Sequence, residues 1–344
     1  MLRSIFLKKD GNKRAVYRYL TANPLFLIIS ALIVIIASFD ISFFNIASFN
    51  TILTQSATRL MFAIAAASII IVGGIDLSLG RIVGFAGVFA ASMLQDPNYS
   101  MKVFGFSPAP LFIPIIGSML LAASFSVGQS QLITRLKIPP FIASLGFQQI
   151  VYGSCSLYYN GVCNSNPIST YSESYIKFSQ GTIKITSQFS ISYLLLYAIA
   201  ICFIMWFIWE KTVLGKHMFA IGGNIESAKV SGVNVNKSTM LVYMIAGLLV
   251  GFGGSLEAGR TGSAINSMGA DYALDAIAAC VVGGVSLRGG RGTILGVALG
   301  VIIFQILSYG LIYIGISPDL QYVVKGAIII LAVAFDIMNQ KRQR

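Results

Sequence analysis

Ten apolar stretches, at about 24 to 39, 57 to 74, 79 to 94, 110 to 133, 140 to 159, 190 to 209, 239 to 256, 272 to 286, 292 to 312 and 319 to 337, leave this chain few ways to fold. A run of about 20 apolar residues matches the hydrocarbon thickness of a bilayer. Within that layer the backbone must satisfy its own hydrogen bonds, which selects helices. The expectation is therefore all-α: a polytopic membrane protein of about ten transmembrane helices, some of them short or broken at Gly-Gly. With 56% hydrophobic and 10% charged residues, the 344-residue chain lies far outside soluble norms. No stretch free of membrane-length apolar segments is long enough for a separate core, so residues 1–344 read as a single transmembrane domain.

The charge pattern orients these spans. A net charge of +12 suggests nucleic acid, but the basic residues sit between apolar spans and at the termini instead of on one face. Such spacing is an orientation signal, and no nucleic-acid partner is expected. Residues 1–23 carry Arg3, Lys8, Lys9, Lys13, Arg14 and Arg18 against Asp10 and read as a cytoplasmic N-terminal segment. The tail 339–344, with Lys341, Arg342 and Arg344, reads as cytoplasmic too. That topology leaves only Arg59, Lys102, Lys177, Lys184, Arg260 and Lys325 on the other side. The largest outer loop, 160–190, is nearly uncharged and rich in Ser, Thr, Asn and Tyr; it reads as a linker or a docking surface.

The cytoplasmic loop 210–238 interrupts the oily second half, with Lys211, Lys216, Lys229 and Lys237 around a short amphipathic core. Asn224 is placed to cap a helix of about two turns, Glu226 stands in its first turn where the macrodipole favours a carboxylate, and Gly232 stops it. Ser227 and Ala228 are small enough for close packing in a groove. The same residues also suit a plain capped surface helix.

An internal repeat joins the two halves. Val72-Gly73-Gly74-Ile75-Asp76-Leu77-Ser78-Leu79-Gly80-Arg81 is identical at six of ten positions to Val282-Gly283-Gly284-Val285-Ser286-Leu287-Arg288-Gly289-Gly290-Arg291. Paired glycine breaks at matching places of two halves point to a transport pathway. Asp76 and Asp275 are ionisable groups at span edges, readable as pathway groups or as carboxylates holding a helix start, with Arg81 a possible partner for Asp76. The candidate pathway set is Gln55, Gly73, Gly74, Asp76, Ser78, Asp275, Gly283 and Gly284. The pairs Gly80/Gly84, Gly247/Gly251 and Gly296/Gly300 have the spacing that lets helices approach closely in lipid.

Several chemistries lack their residues. Cys202 and Cys280 lie in apolar spans, and Cys155 and Cys163 flank the outer loop, where a bridge or two free thiols are both open. His217 is the only histidine, so neither a metal site nor a Ser/His/Asp set is expected. No Gly-x-x-x-x-Gly-Lys-Ser/Thr occurs, and no span carries the acidic ladder of a proton relay. A transporter built this way is not an enzyme, holds no cofactor, and draws its energy from another subunit.

These residues resemble the permease subunits of bacterial ATP-binding-cassette importers for monosaccharides, the ribose, xylose, arabinose and galactose group. The likeness covers essentially the whole chain and rests on Gly73-Gly74-Ile75-Asp76-Leu77-Ser78-Leu79-Gly80, on Gly222-Gly223-Asn224 with Glu226-Ser227-Ala228 and Ser231-Gly232, and on Val281-Val282-Gly283-Gly284-Val285-Ser286. Ser156-Leu157-Tyr158-Tyr159, Leu256-Glu257-Ala258-Gly259-Arg260, Tyr309-Gly310-Leu311-Ile312-Tyr313-Ile314-Gly315 and Gln321-Tyr322-Val323-Val324-Lys325-Gly326-Ala327 draw it toward the galactose/methyl-galactoside permeases. The resemblance implies a homodimer in the bacterial inner membrane, an ATPase subunit with two nucleotide-binding domains that holds ATP and Mg, and a periplasmic sugar-binding protein. It also implies that Glu226, Ser227, Ala228 and Gly232 dock on the ATPase. Ile225, where proline is common, and Ser227, in place of alanine, depart from the pattern. A pentose or another hexose such as ribose is the alternative cargo, and an ion-gradient carrier the alternative class.

Overall fold

The computed structural model describes Phe43, 45–185 and 189–342, so the expected segment 1–23 and first span 24 to 39 lie outside the described residues. Twelve helices and one two-stranded hairpin follow. They are α1 (Ile46–Ile71), α2 (Leu79–Met93), α3 (Phe112–Thr134), α4 (Pro140–Val162), α5 (Glu173–Gln180), β1 (Thr182–Lys184) and β2 (Ser190–Ser192). Then come α6 (Tyr193–Lys211), α7 (Val213–Gly223), α8 (Ile225–Val230), α9 (Val235–Thr261), α10 (Tyr272–Val282), α11 (Ile294–Tyr313) and α12 (Pro318–Arg342). Among the described residues α1, α3, α6, α9 and α11 are long and apolar enough to cross a membrane, and α2 and α10 are shorter apolar helices. The chain is a mostly helical, polytopic membrane protein.

Two boundaries differ from those read off hydropathy. The helix expected at 57 to 74 starts at Ile46, because the Asn45 side chain accepts from the Ser48 backbone N–H and caps a polar first stretch that hydropathy does not register. The span expected at 272 to 286 is helical only to Val282; 11 residues reach about 16 Å, roughly half a bilayer core.

The described residues form two units. In the unit Asn45–Gln305, α9 is the central post, packed on α3, α2 and α1. The three glycine pairs make these approaches possible. A Cβ on Gly247 or Gly251 would meet α3 backbone at 2.7 and 2.5 Å, one on Gly80 or Gly84 the main chain of Gly269 and Met268 at 2.2 Å, and one on Gly300 the Ala279 carbonyl at 2.0 Å. In the other unit Phe43 meets Tyr309 and Tyr313, with ring centroids 6.0 and 5.5 Å apart, and Ser317 precedes α12.

The outer loop 160–190 is folded, not a loose linker. The fully buried Tyr175 of α5 donates its hydroxyl to the Ser255 carbonyl of α9, and Gln180 donates to the Gly259 carbonyl at 2.7 Å. Bridges from Ile168 to Ala264 and from Gln95 to Tyr171 close it over the helix ends. Cys155 and Cys163 are free, buried thiols, so the bridge left open by the sequence is not formed.

One polar cluster holds the apolar unit together. The Glu257 carboxylate of α9, with 0% side-chain exposure, accepts from Arg260 Nε and Nη2 at 2.8 Å each, from Thr58 Oγ1 of α1 at 2.7 Å and from the Tyr272 hydroxyl of α10 at 2.9 Å. Arg59 of α1 lies 3.8 Å away, its guanidinium 3.4 Å above the Tyr272 ring. Arg59 and Arg260, assigned to the outer side by the charge tally, are thus spent inside the protein. Breaking such a buried pair costs about 3–5 kcal/mol, because the remaining charges lose their partner. Glu257→Gln is expected to lower the stability of the detergent-solubilised protein by about 3 kcal/mol. Thr58→Ala, which removes one neutral donor, is expected to cost about 1 kcal/mol. Thermal unfolding of both variants beside the parent chain checks the ranking.

Candidate functional site

The loop 210–238 is built around one asparagine. Asn224 ends α7 and starts α8 in an extended conformation (φ −160, ψ 112), and its Oδ1 accepts from the Ser227 N–H at 2.9 Å. The expected short helix is therefore present, with an additional 11-residue α7 ahead of it that the sequence reading did not foresee. Glu226 stands in its first turn and takes the Lys229 ammonium at 2.6 Å; both side chains are at least half exposed, so the pair adds little stability. Gly232 stops the helix at φ +83, while Gly232 N–H reaches the Lys229 carbonyl and Val233 N–H the Ala228 carbonyl. Ala228 faces inward at 3% exposure, whereas Glu226, Ser227 and Val230 are exposed, Val230 at 90%. The free face of α8 is thus small, partly apolar and bordered by one ion pair.

Behind α8 three backbone segments meet. The Ile71 carbonyl at the end of α1 accepts from the Gly290 N–H at 2.9 Å, and Gly222, at the end of α7, lies against both. A Cβ on Gly222 would sit 1.7 Å from the Ile71 oxygen and 2.4 Å from the Gly290 nitrogen. One on Gly290 would meet Gly223 at 2.8 Å. The loop therefore lies by main chain against the end of α1 and against Gly290 in the second copy of the repeat. The His217 ring, bonded to Ser238 Oγ at 3.2 Å, ties α7 to α9. Beside the joint a cavity of about 320 Å³ is lined by Gly73, Gly74, Thr134, Lys137, Thr239 and Tyr243, among others.

The two repeated breaks share one construction. After α1, Gly73 N–H and Gly74 N–H reach back to the Ile70 and Ile69 carbonyls; after α10, Gly284 and Val285 reach back to Val281 and Cys280. Both are Schellman stops. The left-handed residue is Gly73 in the first and Gly284 in the second, one position out of step with the sequence repeat. The remaining candidates separate into two groups. Asp76 and Ser78 are buried: Asp76 Oδ1 accepts from the Ser78 N–H at 2.8 Å and hydroxyl at 2.6 Å, and Ser78 also meets Gln129 of α3 at 2.9 Å. The carboxylate holds the start of α2. Arg81 does not pair with it and lies over the Tyr152 ring at 4.5 Å. Asp275 lies elsewhere, lining a small pocket with Arg59, Tyr272 and Gln305, and Gln305 donates to the side-chain oxygen of Gln55. Among the described residues no His, Cys, Asp and Glu group is placed to hold a metal.

Two features escaped the sequence reading. The Glu257 cluster had a visible signal, Glu257 and Arg260 three apart in one helix, but its partners Thr58 and Arg59 stand about 200 positions away. The joint at Gly222 had none beyond its Gly-Gly, since Ile71 and Gly290 come from distant segments.

The chain is thus a polytopic helical membrane protein in which a short capped helix sits beside two glycine-stopped spans. Residues 48–333 match the family described as "Branched-chain amino acid transport system / permease component", and the chain belongs to that family. Being its permease component, it is a transport chain and not a catalytic one. It is 45% identical to the galactose/methyl galactoside import permease protein MglC of Haemophilus influenzae, over 96% of this chain and 98% of that protein. To the Escherichia coli protein of the same name it is 44% identical, over 97% and 99%. To the E. coli ribose import permease protein RbsC it is 30% identical, over 90% and 91%. No solved structure matches the chain.

The joint yields a paired prediction. Gly222→Ala has no room and is expected to cost about 1–3 kcal/mol or to lower the amount of folded protein in the membrane. Gly223→Ala, with nothing within 4 Å of its added carbon, is expected to stay within error of the parent. Membrane abundance and melting in detergent, measured for both, decide it.

Proposed function

We propose that this chain is the permease subunit of an ATP-driven importer that carries galactose and methyl galactosides across the bacterial inner membrane. The observation that carries this reading is likeness along nearly the whole length to two proteins named for that cargo, at 45% and 44% identity, against 30% for the ribose permease. The chain works as one domain, 1–344, of about ten crossings with both termini in the cytoplasm. It pairs with a second copy of itself, with an ATPase subunit carrying two nucleotide-binding domains, and with a periplasmic sugar-binding protein. ATP and Mg belong to the ATPase.

In this reading α8 is the handle. Its free face, Glu226 and Ser227 with Val230, seats in a groove of the ATPase; Ala228 anchors it from behind and Gly232 lets the chain turn away. Closure of the ATPase on ATP moves α8, and α7 passes that movement through Gly222 to the end of α1 and to the Gly289-Gly290 turn beyond α10. Opening at those breaks switches the pathway from outward to inward access. Gln55, Asp275 and the glycines of the two breaks border that pathway, while Asp76 and Ser78 brace its hairpin from inside.

Membrane vesicles holding the permease and its ATPase test this directly. Labelled galactose is expected to accumulate only with ATP on the ATPase side and sugar-binding protein on the other, and to persist when the ion gradient is collapsed. Accumulation without ATP ends the importer reading. Gly232→Trp, strained at positive φ, is expected to cut galactose-stimulated ATP hydrolysis at least five-fold while the permease still inserts. Unchanged stimulation removes the handle.

A further inference from the structure

Half-exposed polar groups on one face of the unit Asn45–Gln305 have no place in hydrocarbon. Arg59 lies near the middle of the 26-residue α1, Gln305 near the middle of the 20-residue α11, and Asp275 in the first turn of α10. Tyr272, which opens α10, stacks on Phe62 with centroids 5.6 Å apart and on the Arg59 guanidinium, so the short helix begins level with the middle of α1. All three polar side chains, and Gln55 bonded to Gln305, keep part of their surface uncovered. A guanidinium and a carboxylate at the centre of a bilayer are costly unless they face protein or water. Lipid instead has the opposite kind of surface to cover on α6, where Ile199, Phe203, Ile204 and Phe207 are all more than half exposed.

We infer that Arg59, Asp275, Gln305 and Gln55 form a mid-membrane contact site for the hydroxyls of a neutral sugar. The chemistry fits that class of ligand. Arg59 offers only donors, Asp275 only acceptors when ionised, and each Gln both, which is the mixture a ring of hydroxyl groups needs. Counting the Glu257 and Arg260 charges behind them, two carboxylates balance two guanidiniums, so the site carries no net field to select an ion. Arg59 retains a buried Nη1 with no hydrogen-bond partner, a donor not consumed by Glu257. The pocket between Arg59, Tyr272, Asp275 and Gln305 is about 20 Å³, room for a single water, so it holds one hydroxyl of a sugar passing its mouth and does not enclose a whole ring. A wall that binds one edge weakly suits a pathway, where tight binding would slow release.

The inference rests on the importer reading, and the test separates the two. Gln305→Cys on α11, Asp275→Cys on α10 and Gln55→Cys on α1 are compared with Phe203→Cys on α6, in vesicles turning over ATP with the sugar-binding protein present. A membrane-impermeant methanethiosulfonate is the probe, because it reacts with thiolate and hence only where water reaches. The unsubstituted chain, whose Cys155, Cys163 and Cys280 are buried, gives the background. The three site positions are expected to react at least ten-fold faster than Phe203→Cys, and millimolar galactose to slow them at least three-fold. Rates equal to that of Phe203→Cys overturn the water-lined face; fast rates that galactose leaves unchanged overturn the sugar contact. Galactose uptake by the unsubstituted chain in the same vesicles reports on the importer reading alone.

Discussion

A single buried carboxylate sets the terms for the helices around it. Glu257 accepts four hydrogen bonds, from its own helix, from α1 and from α10, and each donor is fixed by a different element. Helices in lipid gain little from hydrophobic contact with each other, since acyl chains are as apolar as leucine; packing and polar bonds must do that work. The small-residue seams let α9 approach α2 and α3 to backbone distance, and Glu257 then fixes how α1 and the start of α10 lie against it. Tyr272 is held from three sides, by the carboxylate at its hydroxyl, the guanidinium on one face and Phe62 against the ring. A half-length helix that could slide is thereby pinned at its first residue.

The other end of α10 is built for movement. Its C-terminus is a glycine stop, as is that of α1, and between them Gly222 and Gly290 meet by main chain with no side chain to interlock. Side-chain packing resists shear because rotamers interdigitate, whereas a backbone contact between glycines holds only by fit and one hydrogen bond. The same α10 is therefore held by Glu257 at its start, while Gly283 at its end lies against the main chain of Gly296.

The architecture was legible where periodicity and local capping decide it. Asn224 and Gly232 announced α8 because a cap and a left-handed stop are local requirements of four or five residues, and the spaced glycines announced close packing for the same reason. What the sequence concealed was non-local. Hydropathy missed the first turns of α1, since Asn50, Thr51, Gln55 and Ser56 lower the average while still forming helix beneath the Asn45 cap. The charge tally gave Arg59 and Arg260 to the outer surface because it counts residues between spans and cannot see a carboxylate that a folded neighbour supplies. The loop 160–190 read equally as a linker or a docking surface for want of charge, and what holds it is a long-range bond, the Tyr175 hydroxyl on the Ser255 carbonyl of α9. The repeat was read in the right place, but its left-handed glycine moves by one position between halves, as the helix end and not the sequence alignment chooses where the chain turns.

Asp76 and Asp275 show how similar sequence settings diverge. Both follow or open a broken span, and both could cap a helix or face a pathway. Asp76 has a serine two residues on, whose N–H and hydroxyl converge on one carboxylate oxygen, and the hairpin folds over them until the group is 2% exposed. Asp275 is followed by Ala276 and Ile277, which bring no hydroxyl to the carboxylate. It stays part-exposed on a face with Gln305 and Arg59, in the first turn of α10 and not at its N-cap position, which Asp271 occupies. The residue two positions downstream, a serine after Asp76 and an isoleucine after Asp275, decides whether a hydroxyl and its own N–H close together on the carboxylate.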